Sequence, residues 1–132
     1  METKVVNVGG VDLVVADGWF PKMKKLEEYP DCCGAGEGLG EKLVPDKILG
    51  LRISIACCEH DYSFEHAEAT WAEFHAASFR FVRNIYAIIR AQSRWGLGLL
   101  RTLIASVYFY SVDTAGAKVF KRLKASQGQV VK

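Results

Sequence analysis

Valines alternate with polar residues on both sides of Gly9-Gly10 in KVVNVGGVDLVVA (4–16), the period-two pattern of a small antiparallel hairpin with a two-residue glycine loop. GWFPKMKKLEEY (18–29) predicts a short helix starting at Pro21, because proline suits the first helical turn. DCCGAGEGLGEKLVPDKILG (31–50) holds five of the chain's twelve glycines and reads as a loop. From Ile55 to about Gln92 the apolar spacing is helical. Thr70-Trp71-Ala72-Glu73 has the form of a capping box, which divides that stretch into helices over 54–69 and 70–92. Beyond Gly96 and Gly98 a third helix is predicted over 97–124, and SQGQVVK (126–132) is expected to fray. The expectation is one mainly α domain over 1–132, with 1–17 as a hairpin extension and 125–132 as a flexible tail.

In the second helix Phe74, Phe81, Ile85, Ile88 and Ile89 form a stripe at helical spacing and should be core. In the third, Leu99, Leu103, Ser106, Tyr110, Ala117 and Phe120 align on a face expected to turn inward, and Asp113 lies among them as a lone carboxylate. That carboxylate would accept a core hydroxyl such as Tyr86 or Tyr108, cap a break before Gly116, or serve a site. Trp95–Val112 carries little charge but is interrupted by Arg101 and polar groups, which indicates a buried helix, or one touching lipid, rather than a membrane span.

Half of the 132 residues are apolar, which excludes a disordered chain and suits a single domain. No basic segment followed by an apolar run opens the sequence, so no signal peptide is predicted. The net charge of +2 conceals a division. Up to Glu73 there are seven Lys/Arg against fourteen Asp/Glu; after it there are ten against one, Asp113. A basic half fits phosphates of nucleic acid or anionic lipid, or simply Arg-rich helix surfaces.

ACCEHDYSF (56–64) concentrates the candidate chemistry. On a helix His60 and Asp61 diverge by about 100°, so they meet different neighbours. His60 shares an apolar stripe with Cys57, Phe64, Ala67 and Trp71, where a histidine is most often a satisfied core residue. Asp61, beside a core-facing position, needs a cation or donors. The glycine-rich segment upstream can turn carbonyl oxygens inward, and an oxygen cage with one carboxylate suits Ca²⁺. That segment lacks the G-K-[ST] ending of a phosphate loop. His66 and His75 have no ligand spacing beyond Glu68 and Glu73 and are expected at the surface.

CGAG (33–36) followed by CCEHD (57–61) resembles the secreted phospholipase A2 superfamily, with its C-G-x-G calcium loop and H-D active-site helix. The frame from Cys33 to Phe64, with its VPD and IxxACxxHD features, is more similar to the small phospholipase A2-like proteins of phages and prophages. The resemblance implies two long antiparallel helices holding a calcium loop. It implies that His60 is the general base on water, oriented by Asp113 with Tyr108 or Tyr110 nearby. It implies Ca²⁺ bound by the Asp61 carboxylate and the carbonyls of Cys32, Gly34 and Gly36, with the Gly34 amide as oxyanion donor. Bridges Cys33–Cys57 and Cys32–Cys58 follow by position, as does a lipid channel lined by Trp19, Phe20, Met23 and Phe64. The implied activity is Ca²⁺-dependent cleavage of the sn-2 ester of glycerophospholipids. The implied partner is a phospholipid surface, anionic by preference and bacterial if the protein is phage-encoded, with no nucleic acid and with room for a phage or host protein.

The sequence departs from the family pattern at Phe64, where a tyrosine is usual, and at Glu37, where a glycine follows C-G-x-G. Two other readings of the cysteines stand: free thiols in a reducing compartment, and a zinc site from Cys32, Cys33, Cys57, Cys58 or His60, for which adjacent cysteines are poorly spaced. A second function class also stands, a phospholipase-like module that binds membrane or protein with little or no turnover.

Overall fold

The computed structural model describes residues 1–30, 32–33, 46–94 and 96–132, and only the backbone of residues 111 and 112. These residues are mainly helical, with a small amino-terminal antiparallel hairpin. Strands β1 (Thr3–Val8) and β2 (Val11–Ala16) pair from Thr3 opposite Ala16 to Val8 opposite Val11. Gly9 and Gly10 make the turn at φ of 59° and 83°, where a β-carbon would be strained. Val11, Leu13 and Val15 of β2 point into the core.

The helix expected over 18–29 does not form; only Leu26–Glu28 makes a 3₁₀ turn. A segment bounded by Pro21 and Pro30 is below the length at which helix nucleation is favourable, and Lys22, Lys24 and Lys25 crowd like charges. Side-chain anchors hold it instead. Trp19, Leu26 and Tyr29 are buried, and the Trp19 and Tyr29 rings stack at 6.4 Å. Gly18 is required by close approach, since a β-carbon there would lie 2.5 Å from Tyr62 Oη.

Part of the predicted loop is a second, two-residue hairpin, β3 (Lys47–Ile48) with β4 (Leu51–Arg52). Arg101, which in the sequence merely interrupts an apolar run, explains its position. The buried guanidinium donates to the carbonyls of Ile48 (3.0 Å) and Leu49 (2.7 Å) and to Ser93 Oγ (2.9 Å).

Three α-helices follow: α1 (Ser54–His66), α2 (Trp71–Gln92) and α3 (Leu97–Ser126). Thr70 caps α2 as predicted, its Oγ1 accepting from Glu73 N at 3.1 Å. The other half of the box is absent, because the Glu73 carboxylate pairs with the Met1 ammonium at 2.7 Å. The carboxyl end of α1 is closed by Lys124, whose buried Nζ donates to the carbonyls of Ala67 and Glu65, groups left without helical partners. The last residues, expected to fray, return to the same place. Trp71 N donates to Lys132 O (3.1 Å) and Lys132 N to Ala69 O (2.9 Å), which satisfies an orphan amide at the start of α2.

The apolar stripe of α2 is buried as its spacing predicts. That of α3 is not: Phe120 is buried, but Leu99, Leu103 and Tyr110 face solvent. A seven-residue step drifts by about 20° per heptad on a straight helix, and α3 is apolar on two sides. Its inward seam is Arg101, Ala105, Gly116, Phe120 and Lys124. Gly116 faces the Phe74 ring, where a β-carbon would make ordinary contact at 3.5 Å.

Candidate functional site

Two disulfides fasten Cys32 and Cys33, just before the glycine-rich stretch of sequence, to α1: Cys32–Cys58 (Cα–Cα 5.1 Å) and Cys33–Cys57 (4.9 Å). This is the pairing implied by the resemblance, and it leaves no free thiol for zinc. Asp46, the acid of the VPD stretch, adds a polar tie that the sequence reading gave no role. Its Oδ1 accepts from Cys33 N (3.2 Å) and Ser54 Oγ (2.9 Å), and its carbonyl accepts from Ile53 N (2.8 Å). Gly34 and Gly36, expected as calcium ligands, and Glu37 lie outside the described residues.

His60 is buried in an aromatic cage, its ring centroid 4.1 Å from Phe64 and 4.6 Å from Phe81. Nε2 is enclosed and has no hydrogen-bond partner among the described residues. Burial, with the Arg80 guanidinium as a second cause, pushes the imidazole down to about 3, so the ring is neutral. Asp113 is half-buried on α3 and makes no hydrogen bond to His60 among the described residues. Tyr110 is exposed, whereas Tyr108 is partly buried in a small pocket with Phe81. Tyr86 bonds to Ser106 Oγ at 2.7 Å.

Asp61 faces elsewhere, as the helical geometry requires. It stands on the rim of a cleft of about 720 Å³ with Trp19, Phe20, Met23, Tyr62, Glu65 and the Cys32–Cys58 bridge. Three of the four expected channel residues thus share a cavity with the expected metal ligand; the fourth, Phe64, packs in the core beside His60. Desolvation, then the Glu65 carboxylate one turn on, raises the Asp61 carboxyl to about 7. The residue is exposed at the rim, so solvent moderates the effect, but its direction marks a carboxylate short of positive charge.

A cation would relieve that shortage, and the Asp61 carboxylate is of the hard oxygen kind Ca²⁺ takes. Among the described residues no cluster of three or more His, Cys, Asp or Glu side chains could hold a metal.

The sequence reading missed the residue before His60. Glu59 is buried, and its Oε1 accepts from Ala16 N (3.0 Å), Ser63 Oγ (2.6 Å) and Arg80 Nε (3.1 Å). Arg80 Nη2 also donates to Ser63 Oγ at 2.8 Å. The Asn84 side chain behaves like a neighbouring strand, bonding to both Val14 N (2.9 Å) and Val14 O (2.8 Å). These groups fix the rotation of α1, and so where His60 and Asp61 point. The available signal was Arg80 and Asn84 interrupting the apolar face of α2. His66 and His75 are at the surface, as expected.

Compared with known proteins, the chain matches no family model, no curated protein and no solved structure.

Proposed function

We propose that the protein is a Ca²⁺-dependent, phospholipase A2-like hydrolase that cleaves the sn-2 ester of glycerophospholipids, with His60 as general base. One observation carries the reading: a neutral, caged histidine without a hydrogen-bond partner at Nε2 is followed in the chain by a carboxylate short of positive charge on the rim of a largely apolar cleft, which His60 itself does not line. With Nε2 enclosed, Nδ1 is the nitrogen left to take a proton from water as it attacks the ester carbonyl. The aromatic cage keeps the ring neutral but, at about 3, a weak base, so service as general base requires that value to rise when substrate is bound. The Asp61 carboxylate and the carbonyls of Cys32, Gly34 and Gly36 would hold the ion, and the Gly34 amide would donate to the developing oxyanion. Bound Ca²⁺ would supply Lewis-acid polarisation of the carbonyl. Phe20 and Met23 would receive an acyl chain, since both line the cleft with part of their apolar surface exposed.

A binding module with little turnover is the second reading, favoured by the lack of a hydrogen bond between Asp113 and His60. The deciding experiment is lysophospholipid release from mixed micelles with Ca²⁺ and with chelator. His60→Gln should lose at least about a hundredfold while keeping its fold, and Asp113→Asn should lose far less. Asp61→Asn should abolish the rise in Tm that Ca²⁺ gives by binding the folded state. Equal activity in wild type and His60→Gln would sink the hydrolase, and vesicle capture without release in any form would establish the module.

A further inference from the structure

The side of α3 turned away from the core is apolar. Leu99, Leu100, Leu103, Val107 and Tyr110 are each between 47% and 80% exposed. At about 100° per residue they fall within one sector of roughly a third of the helix circumference. The same sector continues as Lys118 and Lys121, with Arg122 beside them, all exposed. At the other end Arg90 and Arg94 share a cleft of about 430 Å³ with Leu99 at the α2–α3 turn. The pattern is therefore an apolar stripe flanked at both ends by cations.

The chemistry of the occupant follows from charge. Of the ten cations after Glu73, Arg80, Arg101 and Lys124 are buried and bonded internally, and the others are exposed. The one acid, Asp113, is half-buried. A second copy meeting this face with its own would bring cations against cations, and a nucleic acid has no use for a row of leucines. An anionic bilayer offers both an acyl boundary and phosphates. No described helix is long and apolar enough to cross a membrane, so the geometry is that of a helix lying in the interface.

We propose that the outer face of α3 is the surface by which the protein lies on an anionic phospholipid bilayer, its apolar stripe at the headgroup boundary and its flanking cations on lipid phosphates. This deepens the hydrolase reading, which supplies lipid as the substrate, and assigns the docking to a face separate from the Asp61 cleft. The test is co-sedimentation with vesicles of phosphatidylcholine alone and with added phosphatidylglycerol, in chelator so that neither Ca²⁺ nor turnover contributes. Wild type should bind the anionic vesicles far better. The double variant Leu103→Asp/Val107→Asp, at exposed positions, should keep its circular dichroism and melting curve and lose at least about tenfold in partitioning. Lys121→Gln and Arg122→Gln should each lose about fivefold at low salt.

Unchanged partitioning of the double aspartate variant overturns the proposal. So does a dimer, seen by sedimentation velocity, that the same variant dissolves without affecting vesicle binding. Failure of docking while a soluble short-chain phospholipid is still hydrolysed removes the docking face alone; vesicle capture through this face with no hydrolysis removes the hydrolase alone.

Discussion

The two sides of α1 treat their polar groups differently. Toward β2 and α2, Glu59 Oε1 has three donors and its chief partner, Arg80, is itself bonded to Ser63. One residue on, the His60 ring is enclosed by Phe64 and Phe81 with Nε2 bonded to nothing among the described residues. A buried polar atom without a partner costs about 1–3 kcal/mol. Glu59 Oε2 is likewise buried without a partner among the described residues, so the difference is that Glu59 is tied through Oε1 to β2, α1 and α2, whereas nothing described ties His60 Nε2.

The largest expected effect lies on the side tied by Glu59 Oε1. Glu59→Ala strands the Arg80 guanidinium and should destabilise the fold by about 3–5 kcal/mol, read from denaturant unfolding. A loss under 1 kcal/mol would erase the contrast. On the other side the bridges come next. They span 26 and 24 residues and are nested, so either alone closes almost the same loop. Replacing all four cysteines by serine should cost roughly 3 kcal/mol, whereas replacing only Cys32 and Cys58 should cost much less; a loss about half as large for the single bridge would mean that the two act independently.

His60 sharpens the comparison through pH. Its folded value of about 3 lies below the ordinary 6.5, so below about 6.5 the unfolded chain binds a proton that the folded protein resists. Stability from this group is complete above about 6.5 and is lost as pH falls toward 3, by up to about 1.4 kcal/mol per pH unit. His60→Leu should flatten that slope without destabilising the protein at neutral pH. An unaltered acid profile in the variant would show that the cage does not hold the ring neutral. The smallest effect is Thr70→Ala, which removes the cap of α2 and should cost about 1 kcal/mol. Since α2 carries Arg80, a loss well above that would show that this cap also supports the Glu59 network.

The helices, the first hairpin, the Thr70 cap and the cysteine pairing were legible because each depends on local spacing or on a motif. The 18–29 segment was not, because its conformation is set by where Trp19 and Tyr29 find the core rather than by helix propensity. The inward face of α3 was hidden by its having two apolar faces, which periodicity alone cannot rank. Glu59 was passed over because its significance depends on Ala16, Ser63 and Arg80 arriving from three elements. Within the candidate site, the adjacency of His60 and Asp61 and their divergence were readable from the helix. The aromatic enclosure of His60 and the sharing of one cleft by Asp61, Phe20 and Met23 required tertiary structure.

The paired cysteines have a mechanical consequence. One bolt joining two parts leaves them free to swivel, and a second bolt beside it stops the rotation. With Cys32 and Cys33 fixed to Cys58 and Cys57, the backbone at these two residues cannot turn about a single bond as a hinge. It is held in one orientation against the helix that carries His60 and Asp61.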